Sequence, residues 1–155
     1  MINDEYAASI LKSVNNVLGM MAQIPVVPQT AEIKTDTLSR GDVTGLIKIK
    51  GKNIQGTASI SFSREIILEL TKRMLRTEIT EIDETAQDLA KEMANMLIGG
   101  AKSEMDDRGY YADMSIPYLS TGLGHKIIHT MGIRTTLIPV TTEYGNLWIE
   151  LCFSS

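Results

Sequence analysis

Two stretches of the chain carry the same residue pattern 79 positions apart. At that offset Ala7 falls on Ala86, Ile10 on Leu89, Lys12 on Lys91, Val14 on Met93, Asn16 on Asn95 and Leu18 on Leu97. Both stretches space their apolar residues by three and four, the period of an amphipathic helix. Each is followed later by two alternating segments. The first pair closes on Ile60, Ser61, Phe62 and Ser63, the second on Leu151, Cys152, Phe153 and Ser154. A repeat of this kind predicts two pseudo-symmetric halves sharing one sheet, each supplying a helix and a hairpin. The expected fold is therefore α/β in the two-layer α+β sense, with long helices packed on a largely antiparallel sheet.

The local signals fill in that plan. A first helix is expected from Asn3 to about Gln23, stopped by Pro25 and Pro28, because proline cannot continue the helical hydrogen-bond ladder. Ile47 and Ile49 alternate with Lys48 and Lys50, and Ala58, Ile60 and Phe62 with Thr57, Ser59 and Ser61. These two stretches read as a hairpin with one buried face. Ser63 is a candidate cap for a second helix from Arg64 to about Leu75, and Asp83 for a third that runs through Gly99 and Gly100 to about Asp107. Arg134 to Thr142 and Leu147 to Phe153 are the closing strands, joined around Tyr144, Gly145 and Asn146. No long linker interrupts the order, so residues 1–155 are expected to form a single domain.

Composition narrows the function classes. The net charge of −4 gives no general attraction to phosphate backbones or anionic lipid, which argues against nucleic-acid and membrane partners. No apolar run approaches the roughly 18 residues of a membrane-spanning helix. Asp4 and Glu5 stand where a secretory leader would be basic, and Cys152 has no second cysteine to pair with. The expected location is the cytoplasm.

The third helix carries the most informative polar set, Asp88, Glu92 and Asn95. Positions i, i+4 and i+7 share a helix face, so a carboxylate and an amide lie on one stripe. Gly99 extends the stripe by a turn, and its missing side chain would let another surface approach closely. By periodicity alone the stripe reads first as a solvated face opposite the core residues Leu89, Met93, Met96 and Leu97, since a carboxylate and an amide three residues apart are common on helix surfaces. The spacing adds to this. Asp88, Glu92 and Asn95, followed after 21 residues by Pro117, resemble the signature of the CheC/CheX family of chemotaxis phosphatases. That signature is Asp or Ser, three residues, Glu, two residues, Asn, and a Pro at about this distance. Element order, length and the internal repeat resemble the family over essentially the whole chain, with CheX as the closest branch.

The resemblance implies a protein substrate, a CheY-type receiver domain phosphorylated on aspartate. It assigns Glu92 to a salt bridge with the receiver's lysine and Asn95 to insertion beside the acyl phosphate. Asn has no proton to exchange near neutral pH, but its amide can donate to and accept from a water and aim it at phosphorus. The resemblance implies no metal or cofactor held by this chain, a divalent metal (Mg) in the receiver's acidic pocket, and a homodimer. Asp88 is left between two roles, engaging the receiver and ordering the helix face. Pro117 reads as structural, fixing entry to the next strand, and Lys102 as solvated.

The first helix offers a degenerate copy, with Ser9 and Asn16 in the motif positions but Ser13 where Glu is required. One site is therefore expected. His125 and His129 have a metal-ligand spacing only on a helix; on a strand they stand about 13 Å apart. No metal site is expected there, and Cys152 reads as a structural thiol. The alternative from another class is a non-catalytic CheC-like or flagellar-switch-like binding module, which would bind partners without changing phosphate lifetime.

Overall fold

A computed structural model describes residues 2–129 and 134–154. Gly132, which closes the segment containing the two histidines, lies outside them. Along the chain come α1 (Ile2–Val14), a widened helical segment (Asn15–Met21), β1 (Val27–Pro28), β2 (Glu32–Lys34), β3 (Val43–Gly51) and β4 (Gln55–Phe62). They are followed by α2 (Arg64–Leu75), α3 (Glu84–Asp107), β5 (Ala112–Met114), β6 (Tyr118–Thr121), β7 (Thr135–Thr142) and β8 (Gly145–Ser154). Every strand pairing among the described residues is antiparallel. The sheet runs from β1 and β2 through β7, β8, β4 and β3 to β5 and β6.

The two halves of the repeat interlock. β4 and β8, one from each half, pair at the centre with Ala58 opposite Leu151 and Ile60 opposite Ile149. The short strands β1 and β2 cross over to pair with β7 of the second half, and β5 and β6 pair with β3 of the first. The helices exchange in the same sense, α1 packing on β8 and α3 on β3. Period-2 alternation supplies the helix-facing layer: Val43, Ile47, Ile49, Ala58, Ile60, Phe62, Ile138, Val140, Leu147, Ile149 and Leu151 belong to one buried cluster with the helices. Tyr6 of α1 stacks on Phe153 of β8 with ring centroids 4.5 Å apart, and burial, with Asp106 adding to it, pushes its phenol pKa well up.

Helix ends follow local chemistry. The Ser63 hydroxyl accepts from the Ile66 amide, and the Asp83 carboxylate accepts from the Ala86 amide at 3.0 Å, so both expected caps are in use. The first helix departs from expectation. Its α-helical ladder stops at Val14 and widens, with the Ala22 amide donating to the Val17 carbonyl at 3.0 Å, five residues back. Gln23 then turns left-handed at φ 58° before Pro25.

The hairpin also departs from the expectation of one buried face. Thr57, Ser59 and Ser61 are fully buried, and residues 35–42 and 122–129 reach this face, where Ser39 donates to Ser61, His125 meets Thr44 and His129 meets Thr57. Those segments are joined to each other where the Ser39 amide donates to the His125 carbonyl at 2.8 Å and the Ile127 amide to Thr37 at 2.7 Å. Beneath them Lys34 donates to both Glu150 carboxylate oxygens at 3.0 Å, and both side chains are fully buried. His129 joins Glu150 at 3.1 Å through Nε2 and meets Thr57 through Nδ1. A buried ion pair with this many partners contributes through the satisfaction of every charge in it.

Candidate functional site

α3 presents its polar stripe outward because its other face is held firmly down. Ala86, Leu89, Ala90, Met93, Ala94, Leu97, Ile98 and Ala101 are buried along it. Gly45 of β3 allows the close approach: a Cβ there would stand 2.7 Å from the Ala94 Cβ. Seated in this way, the helix leaves Asp88, Glu92 and Asn95 exposed on one side.

The opposite wall comes from the turn before β6. The Ser115 amide donates to the Lys48 carbonyl and the Lys48 amide to the Ser115 hydroxyl, both at 2.9 Å, anchoring the turn to β3. Pro117 then leads into β6, whose Tyr118 pairs with Leu46. Between helix and turn lies a cleft of about 320 Å³ lined by Asp88, Lys91, Glu92, Asn95, Ile116 and Pro117. Ile116 is 79% exposed at its lip. Lys91 stands 3.7 Å from the Asp88 carboxylate, both side chains partly in solvent. Among the described residues the Glu92 carboxylate and the Asn95 amide have neither a hydrogen-bond nor an ion-pair partner. Two unpartnered polar groups thus stand on one face of α3 at the edge of the cleft.

Three of the four expected site residues, Asp88, Glu92 and Asn95, meet at this cleft together with Pro117. Gly99 does not line it. The surface that approaches Gly99 is this chain's own Met114 of β5, whose methyl would lie 3.5 Å from a Cβ at that position. Lys102, read as solvated, ion-pairs with Asp106 at 2.8 Å. Lys91 and Ile116 were not singled out as site residues in the sequence. Lys91 was legible in principle, being three residues from Asp88 on the same stripe, whereas Ile116 depends on where β6 pairs.

The stripe on α1 meets a different fate. Ser9 is buried and donates to Glu104 at 3.1 Å, and Lys12 donates to the other Glu104 oxygen at 3.2 Å. The Lys12 ammonium first, then the Ser9 hydroxyl, hold the Glu104 carboxyl below the usual carboxylate range. The Ser13 hydroxyl would lie only 2.7 Å from a Cβ on Gly100. The degenerate copy is therefore the seam between α1 and α3.

The two histidines serve separate networks: His125 Nε2 meets the Thr44 hydroxyl at 2.6 Å, while His129 belongs to the Glu150 pair. Among the described residues no three His, Cys, Asp or Glu side chains gather closely enough to hold a metal ion. Among them, too, no helix is long and apolar enough to cross a membrane. Cys152 is buried.

Comparison with solved structures places this architecture in the CheC-like class. A CheC-like superfamily protein from Shewanella sp. PV-4 is 37% identical, with 97% of this chain and 98% of that chain covered and a TM-score of 0.89. Chemotaxis protein CheX from Vibrio vulnificus is 36% identical, with 97% and 99% covered and a TM-score of 0.88. At 16% identity, with 97% and 98% covered and a TM-score of 0.79, the fold is also that of the CheX–CheY–BeF3–Mg2+ complex from Borrelia burgdorferi. No curated protein matches. The model of the chemotaxis phosphatase CheX family matches residues 43–141, and the chain belongs to that family.

Proposed function

We propose that this protein hydrolyses the aspartyl phosphate of a CheY-type receiver domain and so shortens a chemotaxis signal. The observation that carries the reading is the pair of unpartnered side chains, Glu92 and Asn95, on a helix whose other face is buried, at the edge of an open cleft. The family description supports the activity class. The Borrelia relative, whose structure is a complex with CheY and Mg2+, supports the partner.

The chemistry needs little from this chain beyond position and charge. Asn95 donates its amide N–H and offers its carbonyl to a water, holding that water in line with the phosphorus–oxygen bond of the acyl phosphate. As the water oxygen bonds to phosphorus, the bond to the aspartyl oxygen breaks. The receiver recovers its carboxylate and inorganic phosphate takes up the water's proton. Glu92 pairs with the receiver's lysine and fixes the register of the two proteins. Asp88 engages the receiver at the mouth of the cleft. The divalent ion belongs to the substrate, held in the receiver's acidic pocket, where it offsets charge on the phosphoryl oxygens. The work takes place in the cytoplasm, with the whole chain acting as one unit and as a homodimer.

The test is loss of phosphate from phosphorylated CheY-type receivers of the same source, with and without this protein. Loss faster than spontaneous decay is expected. An unchanged decay rate with every receiver that binds the protein would favour the binding-module alternative.

A further inference from the structure

Two carboxylates, Asp88 and Glu92, face a cleft proposed to receive a phosphorylated and therefore anionic surface, a combination that Coulomb repulsion opposes. Lys91 is the cation among the residues lining that cleft. It sits on the same helix face, four residues before Asn95, so its backbone lies about 6 Å along the axis from that of the amide. Its ammonium is held by Asp88 at 3.7 Å, with the two side chains 44% and 64% exposed. An ion pair of that length and exposure is weak and exchanges readily.

Glu92 is already committed to the receiver's lysine on the phosphatase reading, on which this inference rests. The remaining charge at the cleft is the Lys91–Asp88 pair. We propose that Lys91 is a specificity-determining positioning residue: on docking it leaves Asp88 and offers its ammonium to an anionic oxygen of the receiver. That oxygen belongs either to the phosphoryl group or to a carboxylate of the acidic pocket around it. The exchange keeps Glu92 from repelling the substrate and brings the phosphoryl group to Asn95 in one orientation.

The experiment uses the full chain as wild type, Lys91→Met, Lys91→Glu and Lys91→Arg, with one CheY-type receiver in phosphorylated and unphosphorylated forms. Lys91→Met is expected to lower kcat/KM several-fold, mainly through KM, and to flatten its dependence on salt. Lys91→Glu is expected to lower it further, and Lys91→Arg to restore most of the loss. Thermal unfolding should match wild type in all three, since Lys91 lies at the surface. Weaker binding of the phosphorylated receiver alone identifies the phosphoryl oxygens as the partner; equal weakening of both forms identifies a carboxylate. Unchanged kcat/KM and salt dependence in Lys91→Met and Lys91→Glu, beside an active wild type, overturns the role. If wild type itself leaves the phosphate untouched, the phosphatase reading fails separately. Receiver binding by Lys91→Glu then decides, and affinity equal to wild type overturns the proposal.

Discussion

Helices α1 and α3 descend from one pattern and end in opposite circumstances. Ser9 and Ser13 of α1 stand where Asp88 and Glu92 stand on α3, and Asn16 where Asn95 does. On α1 the small hydroxyls let the helix close against Gly100 and Glu104, so its stripe is consumed as a seam. On α3 the matching positions carry larger, charged residues, and the stripe stays open toward Ile116 and Pro117. The α1 ladder also widens after Val14, whereas α3 continues for 24 residues with no such break. A repeated element is therefore closed by packing in one half and left open in the other, with different residue types at the matching positions.

The largest effect that would break this contrast concerns Asn95. Asn95→Ala should reduce phosphate loss by about a hundredfold or more, the usual consequence of removing one preorganised polar group from a reacting centre. Circular dichroism and receiver binding should stay near wild type. Next comes the link between the halves on the face away from the helices. Glu150→Ala leaves the buried Lys34 ammonium and His129 without their carboxylate and should cost about 3–5 kcal/mol in urea unfolding. A loss under about 1 kcal/mol would mean that the network is incidental.

The seat of α3 can be loosened in place. Gly45→Ala puts a methyl 2.7 Å from the Ala94 Cβ, with backbone and helix on either side and no flexible end to give way. About 1–3 kcal/mol of destabilisation is expected, together with a fall in turnover as the stripe lifts from its position. Full activity in a destabilised Gly45→Ala variant would show that the seating of α3 is not needed for the site. The smallest effect lies at the α1 seam. Because Glu104 is held below its ordinary pKa in the folded chain, its stabilisation is complete above the unfolded value and fades as pH falls through the folded one. Glu104→Gln should lessen the acid side of the stability–pH curve without altering turnover, as read by unfolding and phosphate release at matched pH.

Much of this arrangement was legible in the sequence, and the exceptions share a cause. The long helices, the two hairpins and the Ser63 and Asp83 caps announce themselves locally, because each meets its requirements within a few residues. α3 runs through Gly99 and Gly100 because buried neighbours on both sides outweigh their weak propensity. The stripe of Asp88, Glu92 and Asn95 was readable from helical period alone, whereas the role proposed for it rests on the resemblance of its spacing to the CheC/CheX signature. The short strands β1, β2, β5 and β6, of two to four residues, were not readable. They owe their pairing to β7 and β3 of the opposite half, and no local alternation records a partner more than a hundred residues away in the case of β1 and β2. Burial of Glu150 is hidden for the same reason: in an alternating strand it reads as solvent-facing until Lys34 and His129 cover it. Widening of the first helix had partial warning in Asn15, Asn16 and Gly19, residues that weaken an α-helical ladder.

The central claim is that one stripe acts on the receiver while its repeat only packs. Wild type, Asn95→Ala and Asn16→Ala should be followed side by side for phosphate loss from one phosphorylated CheY-type receiver. The account predicts acceleration by wild type and Asn16→Ala and decay at the spontaneous rate with Asn95→Ala. Acceleration by Asn95→Ala equal to wild type, or its loss in a stably folded Asn16→Ala, would contradict it.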